Sequence, residues 1–230
     1  MNINNPWKAL TAPEWALWLS SLGLILFGYA LFPQNILTLV ASLIGATALI
    51  FVAKGYVLGQ VLTLVFSVFY GIVSYHLRYY GEMITYLGMT SPIAVASVIT
   101  WIRHPYRGTA EVEVHRMTGR QTLWMSVLAV LVTGMFYWIL RALGNAMLVV
   151  STISITTSFV ASYLTMMRSP YYALAYALND VVLIILWVMA TVNDPSYLPM
   201  VLCFVVFLFN DVYGYWNWRN MQSRQEKIIP

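Results

Sequence analysis

The sequence predicts an all-α polytopic membrane protein, and three observations carry that prediction. Only 12 Lys plus Arg and 8 Asp plus Glu stand among 230 residues, a charged share of 9%, against about 25% in soluble domains. With 60% apolar residues there is too little polar surface to cover a core in water, so the solvent around most of the chain must be lipid. The apolar residues also fall into windows of about 20, the length that crosses a bilayer core of about 30 Å.

Six windows hold no charge: Trp15 to Phe32, Asn35 to Ala53, Gly55 to Leu77, Met83 to Ile102, Gln121 to Leu140 and Ala142 to Met167. Two more, Ser169 to Asn193 and Pro195 to Trp218, are broken only by Asp180 and Asp211. A secretory signal peptide competes for the first window, but the run is long and has no small-residue cleavage motif, which favours a helix. Were it only to lie on the surface, the other seven would still leave the C-terminus on the same side. If the eight windows alternate across the bilayer, one side holds Lys8, Lys54, Arg103, Arg107, Arg116, Arg120, Arg168, Arg219, Arg224 and Lys227, and the other only Arg78 and Arg141. The positive-inside rule then predicts both termini and the Arg103–Arg120 loop in the cytoplasm, and the expected location is the plasma (inner) membrane, multi-pass. Within that loop Ala110 to His115 alternates apolar and polar residues, as a short extended stretch does. Trp15, Trp18, Trp101, Trp124, Trp216 and Trp218 mark helix ends and read as interfacial anchors.

The spacing of the windows repeats. Lys54 has a counterpart 114 residues on at Arg168, and Arg103 one 116 residues on at Arg219, while the turn at Gly81-Glu82 answers Asn193-Asp194. Windows two to four therefore pair with windows six to eight, and the fifth is a single connector. One helix between two three-helix units returns the second in the same orientation, a parallel repeat about an axis along the bilayer normal. The predicted organisation is an N-terminal helix segment (1–34), a three-helix bundle (35–102), a cytoplasmic loop with the connecting helix (103–141), a second bundle (142–218) and a cytoplasmic tail (219–230).

Several chemistries are excluded by absence of their residues. Cys203 is alone, no CxxC or HExxH offers ligand spacing, and no nucleophile elbow, P-loop or glycine fingerprint occurs. No enzyme, cofactor or metal centre is expected, and the 12 basic residues are too scattered to read a nucleic acid. What remains is the pair of intramembrane carboxylates. An Asp at a helix centre costs about 2.5–3.5 kcal/mol on translocon scales, so Asp180 and Asp211, each preceded by asparagine (Asn179, Asn210), need a reason. The plain alternative is a structural hydrogen bond to a neighbouring helix. Two Asn-Asp pairs in matching helices favour a binding site. Asp180 and Trp187 share a helix face, as do Asn210, Tyr213 and Asn217. Gln60 is an amide in the inner third of its window, with Tyr70 on a different face. Carboxylate, amides and a tryptophan together suit a flat, polar, ring-bearing solute. An ion-conducting or proton-conducting protein, in which the two aspartates carry charge, is a second reading.

These residues carry a family resemblance. Tyr80-Gly81-Glu82, the Trp101-to-Pro105 exit followed by Ala110-Glu111-Val112-Glu113-Val114, Asn179-Asp180 with Leu186-Trp187, and Asn210-Asp211-Val212-Tyr213-Gly214 with Trp216-Asn217-Trp218, in this order, resemble the PnuC family of vitamin-precursor transporters. The resemblance implies a three-plus-one-plus-three core like that of SWEET sugar transporters, and assembly as a homotrimer. It implies uptake of nicotinamide riboside by facilitated diffusion, with a cytoplasmic kinase trapping the product. Relatives carry thiamine or riboflavin, which stay open as substrates. Gln60, Asn179, Asp180, Trp187, Asn210, Asp211, Tyr213 and Asn217 are the expected substrate contacts.

Overall fold

The computed structural model describes residues 6–33, 35–76, 80–145 and 147–227; Arg78, one of the two basic residues expected on the outer side, lies outside them. Helices occupy the expected windows: α1 (Ala12–Leu31), α2 (Ile36–Ala53), α3 (Val57–His76), α4 (Tyr80–Thr85), α5 (Ser91–Arg103), α6 (Gly119–Ala142), α7 (Leu148–Met166), α8 (Tyr172–Asn193) and α9 (Leu198–Lys227). Among the described residues, seven helical stretches are long and apolar enough to cross a membrane, and Val57–Ile72 within α3 is a shorter apolar helix. Caps written in the sequence start several of them. Asn35 accepts the Leu37 N–H at 2.9 Å, and Thr118 with Gln121 forms a reciprocal capping box before α6.

Two windows differ from expectation, one inside its length and one at its end. The fourth is one stretch, α4 to α5, interrupted by a π-helical turn at Tyr86–Thr90. Pro92 has no N–H to offer one turn back, and the Ser91 N–H reaches five residues back to the Tyr86 carbonyl. The eighth runs on nine residues past Trp218 to Lys227, because its last turns pack on the loop that follows α5.

α2 lies against α1, α3 and α9; α8 lies between α7 and α9; α5 bridges α3 and α7; and α6 packs on α7. The remaining surface is strongly apolar. Leu123, Val130, Leu131, Trp138, Val192 and Phe209 are all more than 60% exposed, which is the surface a bilayer covers.

The turns α2–α3 and α7–α8 have the same bonding, 113 residues apart. Lys54, Gly55, Tyr56 and Gly59 donate to Ile50, Val52, Phe51 and Tyr56, while Met167, Arg168, Ser169 and Tyr172 donate to Tyr163, Thr165, Leu164 and Ser169. Gly55 (φ 69°) and Arg168 (φ 57°) hold the left-handed position in each turn, an easy conformation for glycine and an unfavourable one for arginine. Close approach sharpens the first turn further: a Cβ on Gly59 would stand 2.3 Å from the Val52 nitrogen.

The end of the molecule that carries these turns, called here the basic end, is tied by the loop after α5. Residues 104–113 form a small hairpin (Tyr106 N–H to Glu111 O, 2.8 Å; Glu113 N–H to His104 O, 2.9 Å). Its second limb is the expected extended stretch. The Val112 N–H reaches the Gly55 carbonyl at 2.9 Å and the His115 N–H the Arg168 carbonyl at 3.0 Å. The end of α9 grips the same limb through Arg224–Glu111 (2.6 Å), Arg116–Glu226 (2.7 Å) and Gln225 to Val112 and Val114. Burial under this loop holds the Arg168 guanidinium below its ordinary pKa.

Four side chains depart from the sequence reading. Trp101 and Trp218 are not interfacial anchors; both are fully buried. Trp124 and Trp216 are exposed, as an anchor would be, and Trp15 and Trp18 stack with Trp7 over Phe51. Glu14, expected just outside the first window, is buried inside α1. It pairs with Lys54 Nζ at 3.1 Å and accepts from the Thr11 N–H and the Tyr213 hydroxyl. Glu82 likewise faces inward.

Candidate functional site

A cavity of about 530 Å³ runs between α2, α3, α4, α7, α8 and α9, within the range of small-molecule sites. Toward the end opposite the basic one it reaches Gly144 and Asn145 in the α6–α7 turn and Tyr197 before α9. Toward the basic end it stops at Val52, Thr165 and Tyr172.

Helical periodicity explains which side chains reach it. Glu82, Thr85, Tyr86 and Thr90 form one stripe of the α4–α5 stretch, and Ser151, Ser154, Ser158, Ser162 and Thr165 one stripe of α7. Of the eight expected contacts, Gln60, Asn179, Asp180, Trp187 and Asp211 line the cavity. Asp180, from α8, and Asp211, from α9, stand close enough there to interact with each other. The Asn179 oxygen accepts from Thr157 at 2.8 Å and from Ser154 at 3.2 Å, so what this amide can offer an occupant is its NH₂. Asp180 Oδ2 and Trp187 Nε1 are buried without a hydrogen-bond partner among the described residues, a cost the fold carries at this place.

Asn210, Tyr213 and Asn217 do not line the cavity. Their common face of α9 is occupied by α1 and the end of α2. The Asn210 amide donates to Ser21 at 2.9 Å and to the Val206 carbonyl, Tyr213 donates to Glu14 at 2.7 Å, and Asn217 donates to the Ala53 carbonyl at 2.8 Å. Asp211 is turned to the cavity because it follows Asn210 by one residue, about 100° around the helix. Tyr70, read as lying on another face than Gln60, lines the same cavity, which curves around α3 past Thr63 and Phe66.

The sequence reading missed the other pole of the site. Glu82 lines the cavity and accepts from the Tyr70 hydroxyl and Ser74. Tyr70 and Tyr86 stand beside it, 4.5 Å apart between ring centroids, and the same cavity is lined by Phe66, 5.6 Å from Tyr70, and by the Trp187–Tyr197 pair at 5.5 Å. Glutamate beside several ring faces is the chemistry that holds an organic cation. The signal was the polar stripe from Glu82 to Thr90. It was obscured because Glu82 sits at the edge of a window and counted as a turn residue. The lining thus carries three carboxyl groups, Glu82, Asp180 and Asp211, and among the described residues no Lys, Arg or His.

The family described as nicotinamide mononucleotide transporter matches residues 35–220. The nicotinamide riboside transporter PnuC of Neisseria mucosa is 30% identical over 95% of this chain and 87% of its own. The protein of the same description from Haemophilus influenzae is 22% identical over 86% of each. A crystal structure of the vitamin B3 transporter PnuC superposes with a TM-score of 0.80 at 28% identity, covering 94% of both chains.

Proposed function

Because this chain belongs to the nicotinamide mononucleotide transporter family and is a multi-span membrane protein, we propose that it carries nicotinamide riboside across the inner membrane. The observation that carries this reading is the charge of the cavity, three carboxyls and among the described residues no basic side chain. A pyridinium riboside is a cation with hydroxyls and fits it; a mononucleotide would bring a phosphate against the same carboxyls. In the proposed pose the pyridinium ring lies among Tyr70, Tyr86 and Trp187 with Glu82 as counter-charge. Gln60, Asn179, Asp180 and Asp211 take the ribose hydroxyls, about 10 Å along α8 from Trp187.

The proposed architecture is three-plus-one-plus-three: α2, α3 and α4–α5 as one bundle, α7, α8 and α9 as its parallel mate, α6 as connector and α1 as an added helix. The four matched bonds in the α2–α3 and α7–α8 turns support it. Movement of one bundle against the other around a central site supplies alternating access. Ten basic residues at one end support cytoplasmic termini. Transport in this reading is facilitated diffusion, trapped by a cytoplasmic kinase that phosphorylates the product, in a homotrimer with one pathway per protomer.

The test is uptake of labelled riboside into liposomes holding the purified protein, with no ATP and no ion gradient. Saturable uptake above that of empty vesicles is the expected result, and its absence contradicts the proposal. The contact between Asp180 and Asp211 favours one alternative, proton-linked transport. Uptake that needs a pH gradient would select it.

A further inference from the structure

The cavity is closed at the basic end by two tryptophans whose bonds mirror each other. Trp101, in the last turn of α5, donates its indole N–H to the Thr165 carbonyl in the last turn of α7, at 2.9 Å. Trp218 in α9 donates its own to the Val52 carbonyl in the last turn of α2, also at 2.9 Å. Val52 and Thr165 hold the same place in the two matched turns. Each tryptophan therefore belongs to one bundle and bonds the other. The rings meet at 5.4 Å, Tyr172 stands edge-on to Trp218 at 4.9 Å, and both indoles are 0% exposed. They lie directly behind Val52, Thr165 and Tyr172, where the cavity stops.

The loop after α5 repeats the symmetry one layer further out. Its Val112 N–H bonds Gly55 and its His115 N–H bonds Arg168, the two left-handed residues of the matched turns. Val112 is buried against the tryptophan layer. The loop thus spans the seam between bundles and is pinned to both sides of it.

We propose that Trp101 and Trp218 form a reciprocal latch that keeps the basic end shut, with the 104–116 loop as a strap over it, and that both bonds must break each time a solute leaves by that end. The geometry favours a switch over a permanent weld. The acceptors are helix-terminal carbonyls already bonded to Gly55 and Arg168 N–H groups, so releasing the indoles leaves no carbonyl unpaired. The inference rests on the transport reading.

The test places cysteines at Ala53 and Asn217, which touch across the same seam at 2.8 Å and lie outside the cavity lining, and joins them with a short bifunctional methanethiosulfonate. The linked protein is expected to keep riboside binding in detergent but to lose liposome uptake, and reduction is expected to restore it. Uptake by the linked protein as fast as by the reduced one overturns the latch. Failure of the wild-type protein to move riboside overturns the transport reading instead. A second arm uses Trp101→Phe and Trp218→Phe, which keep a ring and remove the donor. Labelling of a cysteine at Thr165 by an impermeant maleimide from the basic side is expected to rise about fivefold per lost bond. Unchanged labelling in both variants also overturns the proposal.

Discussion

At the scale of single residues, the two asparagines of the Asn-Asp pairs separate by one turn of geometry. Asn179 keeps its oxygen on Ser154 and Thr157 and its NH₂ for an occupant, whereas Asn210 spends its NH₂ on Ser21 and Val206. Asn179→Ala is expected to weaken riboside binding about tenfold, the loss of one hydrogen bond to a buried polar group, while Asn217→Ala leaves affinity unchanged; isothermal titration of both checks this. Glu82→Gln preserves shape and removes the counter-charge, and its affinity loss should shrink for an uncharged riboside analogue. Equal losses for charged and uncharged ligands would remove Glu82 from the cation pole. The aspartates were legible in the sequence because a carboxylate in an apolar window has few explanations. Glu82 was not, since a charge at a window's edge has an ordinary one.

At the scale of elements, the windows were legible to within a few residues because the bilayer fixes their length. What composition could not show was which face of each helix looks where. The Asn210, Tyr213 and Asn217 face reads as polar and functional in α9 alone. Only the docking of α1, through Ser21 and Glu14, shows that this face holds a helix. Lys54→Met should expose that role: breaking the buried pair with Glu14 costs about 3 kcal/mol and lowers the melting temperature in detergent, with riboside affinity kept in the folded fraction. The α2–α3 turn makes a second element-scale prediction. Gly59→Ala sets a methyl against the Val52 backbone, which cannot yield as a side chain would, so a loss of about 1–3 kcal/mol is expected, read as a lower melting temperature than Gly134→Ala, where the Cβ meets open space.

At the scale of the whole molecule, the proposed repeat shows in the sequence as spacing, with charge positions 114 and 116 residues apart, and the matched bonds of the two turns, 113 residues apart, support it. Side-chain identity hides the match between the two turns because it lies in backbone bonds, which glycine and arginine satisfy alike at positions 55 and 168. Trp101 and Trp218 show the same blindness from the other side. Sequence position puts them at helix ends, where tryptophan ordinarily meets the interface, and only the packing of α5 on α7 and of α9 on α2 shows them buried against each other. An acid-lined cavity of this kind is expected to favour a cationic, unphosphorylated nucleoside. Titration calorimetry of the purified protein with nicotinamide riboside and with its mononucleotide tests it most directly. Binding of the riboside at least tenfold tighter than the mononucleotide is the expected result, and equal or tighter binding of the mononucleotide would contradict it.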